Sequence, residues 1–389
     1  MTNEVKNVPE LRFPEFGGEW EEKSIGDLGS FYYGKSAPKW SITKDATIPC
    51  VRYGELYTKH KGIVKEIYSY TNIDSNNLRF SEGGEILVPR VGEDPMDFAK
   101  CSYLPFSGIA IGEMISVYNT SQNPIFITTY FNSQMKYEFA KRVEGASVSN
   151  LYYSYLTNIN MKIPTINEQQ KIGEFFSKLD RQIELEEQKL AKLEEQKKGY
   201  MQKIFSQELR FKDESGNEYP EWEEKKLFDV VKYLSSKRSS NYYSEDIIHG
   251  QYPVYDAVQE ISRDTNFDIE ESYISILKDG AGVGRLNLRP GKSSVIGTMG
   301  YLLPQNIDIK FLFYYLKTMN FNRFVIGSTI PHLYFKDYSK ETILIPIDKS
   351  EQIKIGSFFI KLDRIINNKA KKIKVLKQRK QGFLQKMFV

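Results

Sequence analysis

The sequence predicts an α+β chain in which two tandem globular domains are each followed by a long helix, the two helices forming an antiparallel coiled coil. Three observations predict it: a 38-residue stretch that occurs twice, a period-3.6 apolar stripe along both copies, and short Tyr/Phe/Ile/Val-rich alternating runs between Gly-containing turns upstream of each.

The repeat sets the boundaries. Glu168–Phe205 aligns without a gap on Glu351–Phe388, with about half the positions identical. Upstream, Gly145-Ala-Ser-Val-Ser-Asn-Leu-Tyr152 matches Gly327-Ser-Thr-Ile-Pro-His-Leu-Tyr334, and Ile163-Pro164 matches Ile345-Pro346. Each unit opens on a shared signature, Leu11-Arg-Phe13 with Glu19-Trp-Glu-Glu-Lys23, and Leu209-Arg-Phe211 with Glu221-Trp-Glu-Glu-Lys225. The expected division is therefore a first module at 1–165, a helix at 166–208, a second module at 209–347 and a helix at 348–389. Residues 25–140 and 227–320 align poorly, so the copies share a frame and differ in their middle parts. That suits two modules binding two versions of one kind of ligand, since loops on a rigid scaffold carry specificity.

The first helix places Ile172, Phe176, Leu179, Ile183, Leu190, Leu193, Tyr200 and Ile204 at 3-4 spacing, broken at Glu186 and Lys197. The second places Ile355, Phe359, Leu362, Ile366, Ile373, Leu376, Phe383 and Met387, broken at Lys369 and Lys380. Such a stripe along about 57 Å of helix needs a partner helix. Glu184, Glu186, Glu187, Glu194 and Glu195 on the first face Lys369, Lys371, Lys372, Lys374 and Lys377 on the second, so the charges favour pairing within the chain. The expected antiparallel pair would act as a ruler between the modules.

Composition excludes several classes. With 40% hydrophobic and 14% aromatic residues in 389, the chain can build a core for each module. A net charge of +4 suits a nucleic-acid binder and many ordinary cytosolic proteins alike. Two cysteines, Cys50 and Cys101, no secretory leader pattern and no membrane-length apolar run point to a cytoplasmic chain without disulfides or membrane contact. His60, His249 and His332 stand apart from any ligand-spaced partner and read as ordinary surface or core residues, so no metal site is signalled.

These repeated features resemble the specificity subunit of type I restriction-modification systems over nearly the whole chain. The resemblance rests on the two modules and on the helix starts Glu168-Gln-Gln-Lys-Ile-Gly and Glu351-Gln-Ile-Lys-Ile-Gly. It rests also on Leu179-Asp-Arg181 and Leu362-Asp-Arg364, and on Gly327–Leu333, Asp279–Gly284 and Thr298–Tyr301 in the second module. The first copy has Ser149-Asn150 where the second has Pro331-His332, and it shows no clear counterpart of 279–284. The resemblance implies two target-recognition domains reading a bipartite, asymmetric target in double-stranded DNA. It implies a non-catalytic chain that binds two methyltransferase subunits, with restriction subunits completing the complex. S-adenosylmethionine, ATP and Mg would then belong to the partners, and no cofactor to this chain.

The residues themselves show little chemistry of their own. Gly280-Ala-Gly-Val-Gly284 follows an apolar run, but Arg285-Leu-Asn-Leu-Arg289 alternates into Pro290 where a nucleotide loop would open a helix, so a tight turn approaching DNA is expected. There is no P-loop and no Asn/Asp-Pro-Pro-aromatic run. The Glu221-Trp-Glu-Glu-Lys225 cluster recurs in both copies and reads as a solvated surface. DNA-contact candidates are Lys35, Ser36, Lys39, Arg52 and Arg90 in the first module. In the second they are Lys237, Arg238, Ser239, Ser240, Asn241, Lys278, Arg285, Arg289 and Lys292. Two other readings stay open: a coiled-coil scaffold that binds only protein, and a free-standing nuclease or methyltransferase.

Overall fold

The computed structural model describes residues 7–145, 148–243 and 250–389; His249 lies outside them. The chain forms two compact units, Met1–Glu186 with Lys372–Val389, and Glu187–Lys371.

In the first unit, strand Glu21–Ser24 pairs antiparallel with Asn160–Ile163, tying the module's start to the segment that enters the first long helix. Four antiparallel strands follow in the spatial order Gly29–Tyr33, Ile115–Thr120, Glu85–Pro89 and Ser102–Leu104. Glu85–Pro89 is buried along its length, as an inner strand covered on both faces must be. A smaller sheet joins Ser69–Thr71, Ile48–Val51 and Ala110–Ile111. Helix Pro124–Gln134 starts where the Asn123 side chain accepts from the Phe126 N–H at 2.9 Å, with proline in its first turn. It buries Phe126, Ile127, Tyr130 and Phe131.

The second unit repeats this plan. Its larger sheet runs Val231–Ser235, Met299–Pro304, Tyr273–Leu277 and Leu286–Arg289, and its smaller one Glu260–Asp264, Tyr252–Tyr255 and Ser294–Val295. Glu223–Lys226 pairs with Thr342–Ile345, and Asp308 caps helix Ile309–Leu316. The segments that align poorly in sequence thus carry the same strand order.

The long helices are Ile166–Phe205 and Lys349–Lys386. In the first unit the rings of Phe175 and Phe383 lie 5.0 Å apart, Lys380 meets Asp180 at 2.5 Å and Lys372 meets Glu186 at 3.0 Å. In the second unit Tyr200 and Phe358 lie 5.3 Å apart and Lys197 meets Asp363 at 2.5 Å. Rising numbers on one helix meet falling numbers on the other, so the pairing is antiparallel in both units. Ile172, Phe176, Ile183, Ile355, Phe359, Ile373 and Leu376 are buried, while Leu179, Leu190, Leu193, Leu362 and Ile366 are half-buried. The charged breaks in the stripe are the ion-pair positions: Glu186, Lys197 and Lys380 each find an opposite charge there, which offsets desolvation. Glu184 departs from the expected helix-to-helix pairing and bonds Lys65 of the first module.

Each core is closed by an aromatic residue at the end of a long helix, Phe205 as the last helical residue and Phe388 two residues past the helix end. Phe388 packs against Trp20, Phe126, Tyr130 and Phe176, with ring centroids 5.5–6.2 Å apart. Phe205 packs in the same way against Phe311, Tyr315 and Phe359, at 5.5–5.8 Å. Both cysteines are free and buried. Among the described residues, no helix is long and apolar enough to cross a membrane, and no acidic, His or Cys cluster has metal-site geometry.

Candidate nucleic-acid interface

In the first module, an aromatic platform forms where strand Gly29–Tyr33 ends. Phe31 stacks on Tyr153 with centroids 5.6 Å apart and planes 2° from parallel, and Tyr33 lies 4.5 Å from Tyr153. Arg90, the residue after strand Glu85–Pro89, lies over this edge, its guanidinium 4.4 Å from the Tyr33 ring and 5.5 Å from that of Tyr152. Its carbonyl accepts from the Leu151 N–H at 2.8 Å, which holds Asn150 beside Val91 in a short antiparallel pair. The Arg90 Nε is buried without a hydrogen-bond partner.

Two further cations flank the platform. Arg79 donates to the Tyr33 carbonyl at 2.9 Å and lies over the Tyr32 ring at 4.9 Å. Lys35 donates to the Asn76 carbonyl at 3.0 Å. The turn is tight because Gly34 packs on the Gly112 and Ile111 carbonyls, where a Cβ would approach to 2.2 Å, and Ser36 follows with φ 63°. Gly112 in turn packs against the Ser36 carbonyl and the Arg52 backbone. Arg52 is half-buried, its N–H bonded to Glu55 at 2.8 Å. Lys39 is exposed on a short helical turn beside Trp40, away from any bond to the platform.

The second module builds the same platform with other side chains. Tyr233 stacks on Phe335, 4.8 Å apart and 7° from parallel. Lys278 follows strand Tyr273–Leu277 and its carbonyl accepts from the Leu333 N–H at 2.8 Å. Asp279 Oδ1 lies 2.7 Å from His332 Nδ1, and Asp279 Oδ2 takes Lys278 Nζ at 2.5 Å. Although burial opposes it, the hydrogen bonds from Lys278 and His332 hold the Asp279 carboxyl below its ordinary pKa. The His332 ring stacks beside Tyr334 at 6.2 Å. Gly280, Gly282 and Gly284 all take positive φ, and their turn joins two antiparallel strands; no helix opens there to face a phosphate. Arg285, on that turn, and Lys237 are exposed.

Two expected contacts prove to be structural. Arg289 is only 8% exposed. It donates to the Asp256 carbonyl at 2.7 Å and to Ser275 Oγ at 3.3 Å, and lies over Tyr255 at 4.2 Å, so it braces the sheets. Arg238 is consumed by Asp264 at 2.5 Å, Asp268 at 2.9 Å and Tyr243 at 2.7 Å. Lys292 is exposed at a positive-φ turn, 3.5 Å from Glu270. Ser239 and Asn241 are exposed, and the Ser240 side chain lies outside the described residues. A basic residue at a turn signals equally a ligand contact and an internal brace, which only the packing separates.

Superposing the two patterns by hydrogen-bond register matches Arg90 with Lys278, Asn150 with His332, Tyr152 with Tyr334, Lys35 with Lys237, and Ser36 with Arg238. The aromatic floor is kept, while the polar groups above it change. Arg79, Asn150, His332 and the two tyrosines escaped the candidate set, although the repeat already aligned Asn150 on His332 and Tyr152 on Tyr334.

The duplicated frame defines a protein of two like recognition modules, and the comparison with known families identifies them as DNA specificity domains. Residues 17–195 and 219–378 match the family described as type I restriction modification DNA specificity domain, and the chain belongs to that family, the specificity subunits of type I restriction-modification systems. It is similar to the type I restriction enzyme MjaVIII specificity subunit of Methanocaldococcus jannaschii, 31% identical over 202 residues, which is 47% of this chain. The match spans about half, 46%, of that relative's length. The fold resembles the crystal structure of a type I restriction-modification system S subunit from M. genitalium, with TM-score 0.69 and 18% identity over 98% of this chain and 99% of that one. It also resembles a structure described as the structural basis underlying complex assembly and conformational transition of the type I R-M system, with TM-score 0.54 and 16% identity over 95% and 97%. At these identities the likeness is one of fold.

Proposed function

We propose that this chain is the non-catalytic address of a methyltransferase and restriction complex, reading a bipartite, asymmetric target in duplex DNA with one half per module. Two methyltransferase subunits bind it and restriction subunits join them; S-adenosylmethionine, ATP and Mg act in those partners. The observation that supports this most is the matched platform. Arg90, Asn150 and Tyr152 in one module stand where Lys278, His332 and Tyr334 stand in the other, over equivalent ring stacks. Phosphate contacts by Lys35, Arg79 and Lys237 would position the duplex without regard to sequence. Arg90, Asn150 and His332 carry hydrogen-bonding groups of the kind that discriminate base edges, and these positions differ between modules, as two different half-targets require.

The test is genome-wide adenine methylation in cells carrying the chain with its methyltransferase partner, against cells lacking only the chain. Loss of methylation at one split, asymmetric motif is the expected result. Unchanged methylation would overturn the reading. Exchanging residues 1–165 for another first module should alter one half of the motif and leave the other.

A further inference from the structure

In the second module Asp279 and His332 face each other across an antiparallel bridge, and beside it the Gly280 N–H donates to the Pro331 carbonyl at 2.9 Å. Asp279 Oδ1 lies 2.7 Å from His332 Nδ1. A carboxylate oxygen only accepts, so Nδ1 is the ring nitrogen that carries a proton. Lys278 Nζ, 2.5 Å from Oδ2, already supplies a countercharge to Asp279, so a neutral imidazole completes the set with a hydrogen bond alone. The Cδ2 edge of the ring faces the backbone: a Cβ on Gly327 would stand 3.5 Å from it. Nε2 is left over. It has no hydrogen-bond partner among the described residues, and the His332 side chain is 38% exposed.

The duplication supplies a comparison. Arg90 corresponds to Lys278, so Val91 stands where Asp279 does, and Val91 pairs with Asn150 as Asp279 pairs with His332. An asparagine carboxamide presents both a donor and an acceptor whatever lies beside it, and its neighbour here is apolar. A neutral imidazole presents one or the other at Nε2, according to where its proton sits, and its neighbour here is a carboxylate. The module that carries the ambiguous side chain is the one that carries a group to settle it.

We propose that Asp279 is a positioning residue that fixes His332 in the Nδ1–H tautomer, so that Nε2 accepts from an exocyclic amino group at one base edge of the second half-target. The inference rests on the DNA-reading function proposed above. Adenine, cytosine and guanine each carry such an amino group, whereas a base that offers only acceptors at that position would set one acceptor against another.

The tautomer is read without DNA, from the imidazole nitrogen resonances of the full chain labelled with nitrogen-15 histidine in mildly alkaline buffer. His332→Ala assigns the signals among the three histidines. Nδ1 should carry the proton and Nε2 should be bare. Asp279→Val copies the pair with which the first module folds, and it should move the proton in part to Nε2. The spectrum of the unaltered chain decides the tautomer even where the variant does not fold. Recognition is read by binding of the chain with its methyltransferase partner to the cognate duplex. Each adenine, guanine or cytosine of the second half is replaced in turn by purine, hypoxanthine or pyrimidin-2-one, which lack the amino group. At least one replacement should weaken binding by the unaltered chain about ten-fold and leave binding by Asp279→Val nearly unaffected. A proton on Nε2 of the unaltered chain, in the other tautomer or in an imidazolium, would overturn the proposal. So would replacements that all cost the variant as much as the unaltered chain. If the chain directs no methylation, the DNA-reading function falls and this proposal with it; if methylation is directed and either of those results is found, this proposal alone falls.

Discussion

Arg12 donates to both carboxylate oxygens of Glu168, at 2.8 and 2.7 Å, and fixes the entrance of the first module against the first turn of its helix. Glu168 is 1% exposed, so its carboxylate has given up water and Arg12 supplies hydrogen bonds in its place. Arg210 and Glu351 repeat the arrangement at 2.9 Å, with Trp222 Nε1 donating to the same carboxylate at 3.2 Å. Arg12→Ala should lower stability by roughly 3–5 kcal/mol in urea unfolding, because it leaves a buried charge unpaired. Arg12→Ala combined with Glu168→Ala should cost less than the sum of the single changes; additive costs would show that the two side chains do not couple.

Phe388→Ala should destabilise the first unit by about 3–5 kcal/mol, since its ring fills a space among Trp20, Phe126, Tyr130 and Phe176. Phe205→Ala should do the same to the second unit. Hydrogen exchange resolved along the chain distinguishes them: protection should fall in the four-stranded sheet within 29–120 for the first variant and in that within 231–304 for the second. Loss in both sheets from either change would contradict separate cores.

Arg90→Ala should weaken binding to the cognate duplex by about 1–3 kcal/mol and relax the first half-target only. His332→Ala should relax the second half. Lys35→Ala should weaken all sequences alike and reduce the salt slope by about one. Arg289→Ala, in contrast, should lower the unfolding midpoint of the second unit without changing base preference, because the guanidinium is enclosed by Asp256, Ser275 and Tyr255. Altered preference without lost stability would return Arg289 to the interface.

Acid stability of the second unit should depend on Asp264. Burial pushes its carboxyl up, but hydrogen bonds from Tyr243, the Asn266 backbone and Arg238 outweigh this and lower it from 3.8 to about 2. The folded unit therefore binds fewer protons than the unfolded chain in that interval. Its contribution is complete above pH 3.8 and is lost as pH falls through 2. Asp264→Asn should flatten the stability profile there. In the first unit, burial lowers the pKa of His60 below 6.5, so the folded unit resists protonating it and should lose stability as pH falls below 6.5 toward the lowered folded value; His60→Phe should remove that slope.

The long helices were legible because their information is local. An apolar residue every three or four positions specifies both helix and seam, and a gapless repeat reveals the duplication. The strand order of residues 25–140 and 227–320 was not legible as one plan, since a sheet tolerates different side chains on the same hydrogen-bond frame. Burial separated candidates that sequence left equal. Arg90 follows a strand and Arg289 ends one, yet one lies over a half-buried aromatic edge and the other against Tyr255. Arg79 carried no motif; it became visible only when Tyr32 and Tyr33 were found beneath and beside it.

The sequence by itself determined the α+β class, the duplication and the pairing of the two long helices, because these rest on periodicity and on residues repeated in order; the family entered as a resemblance carried by its motifs. Only the tertiary structure decided which chain segment closes each core, which cations are consumed within the fold, and which positions of the poorly aligned stretches 25–140 and 227–320 correspond. Phe388 is distant from Trp20 in sequence, and Asn150 and His332 reach Arg90 and Lys278 through strand pairing across 60 and 54 residues. Such contacts follow from the register and packing of distant segments, which no local pattern encodes.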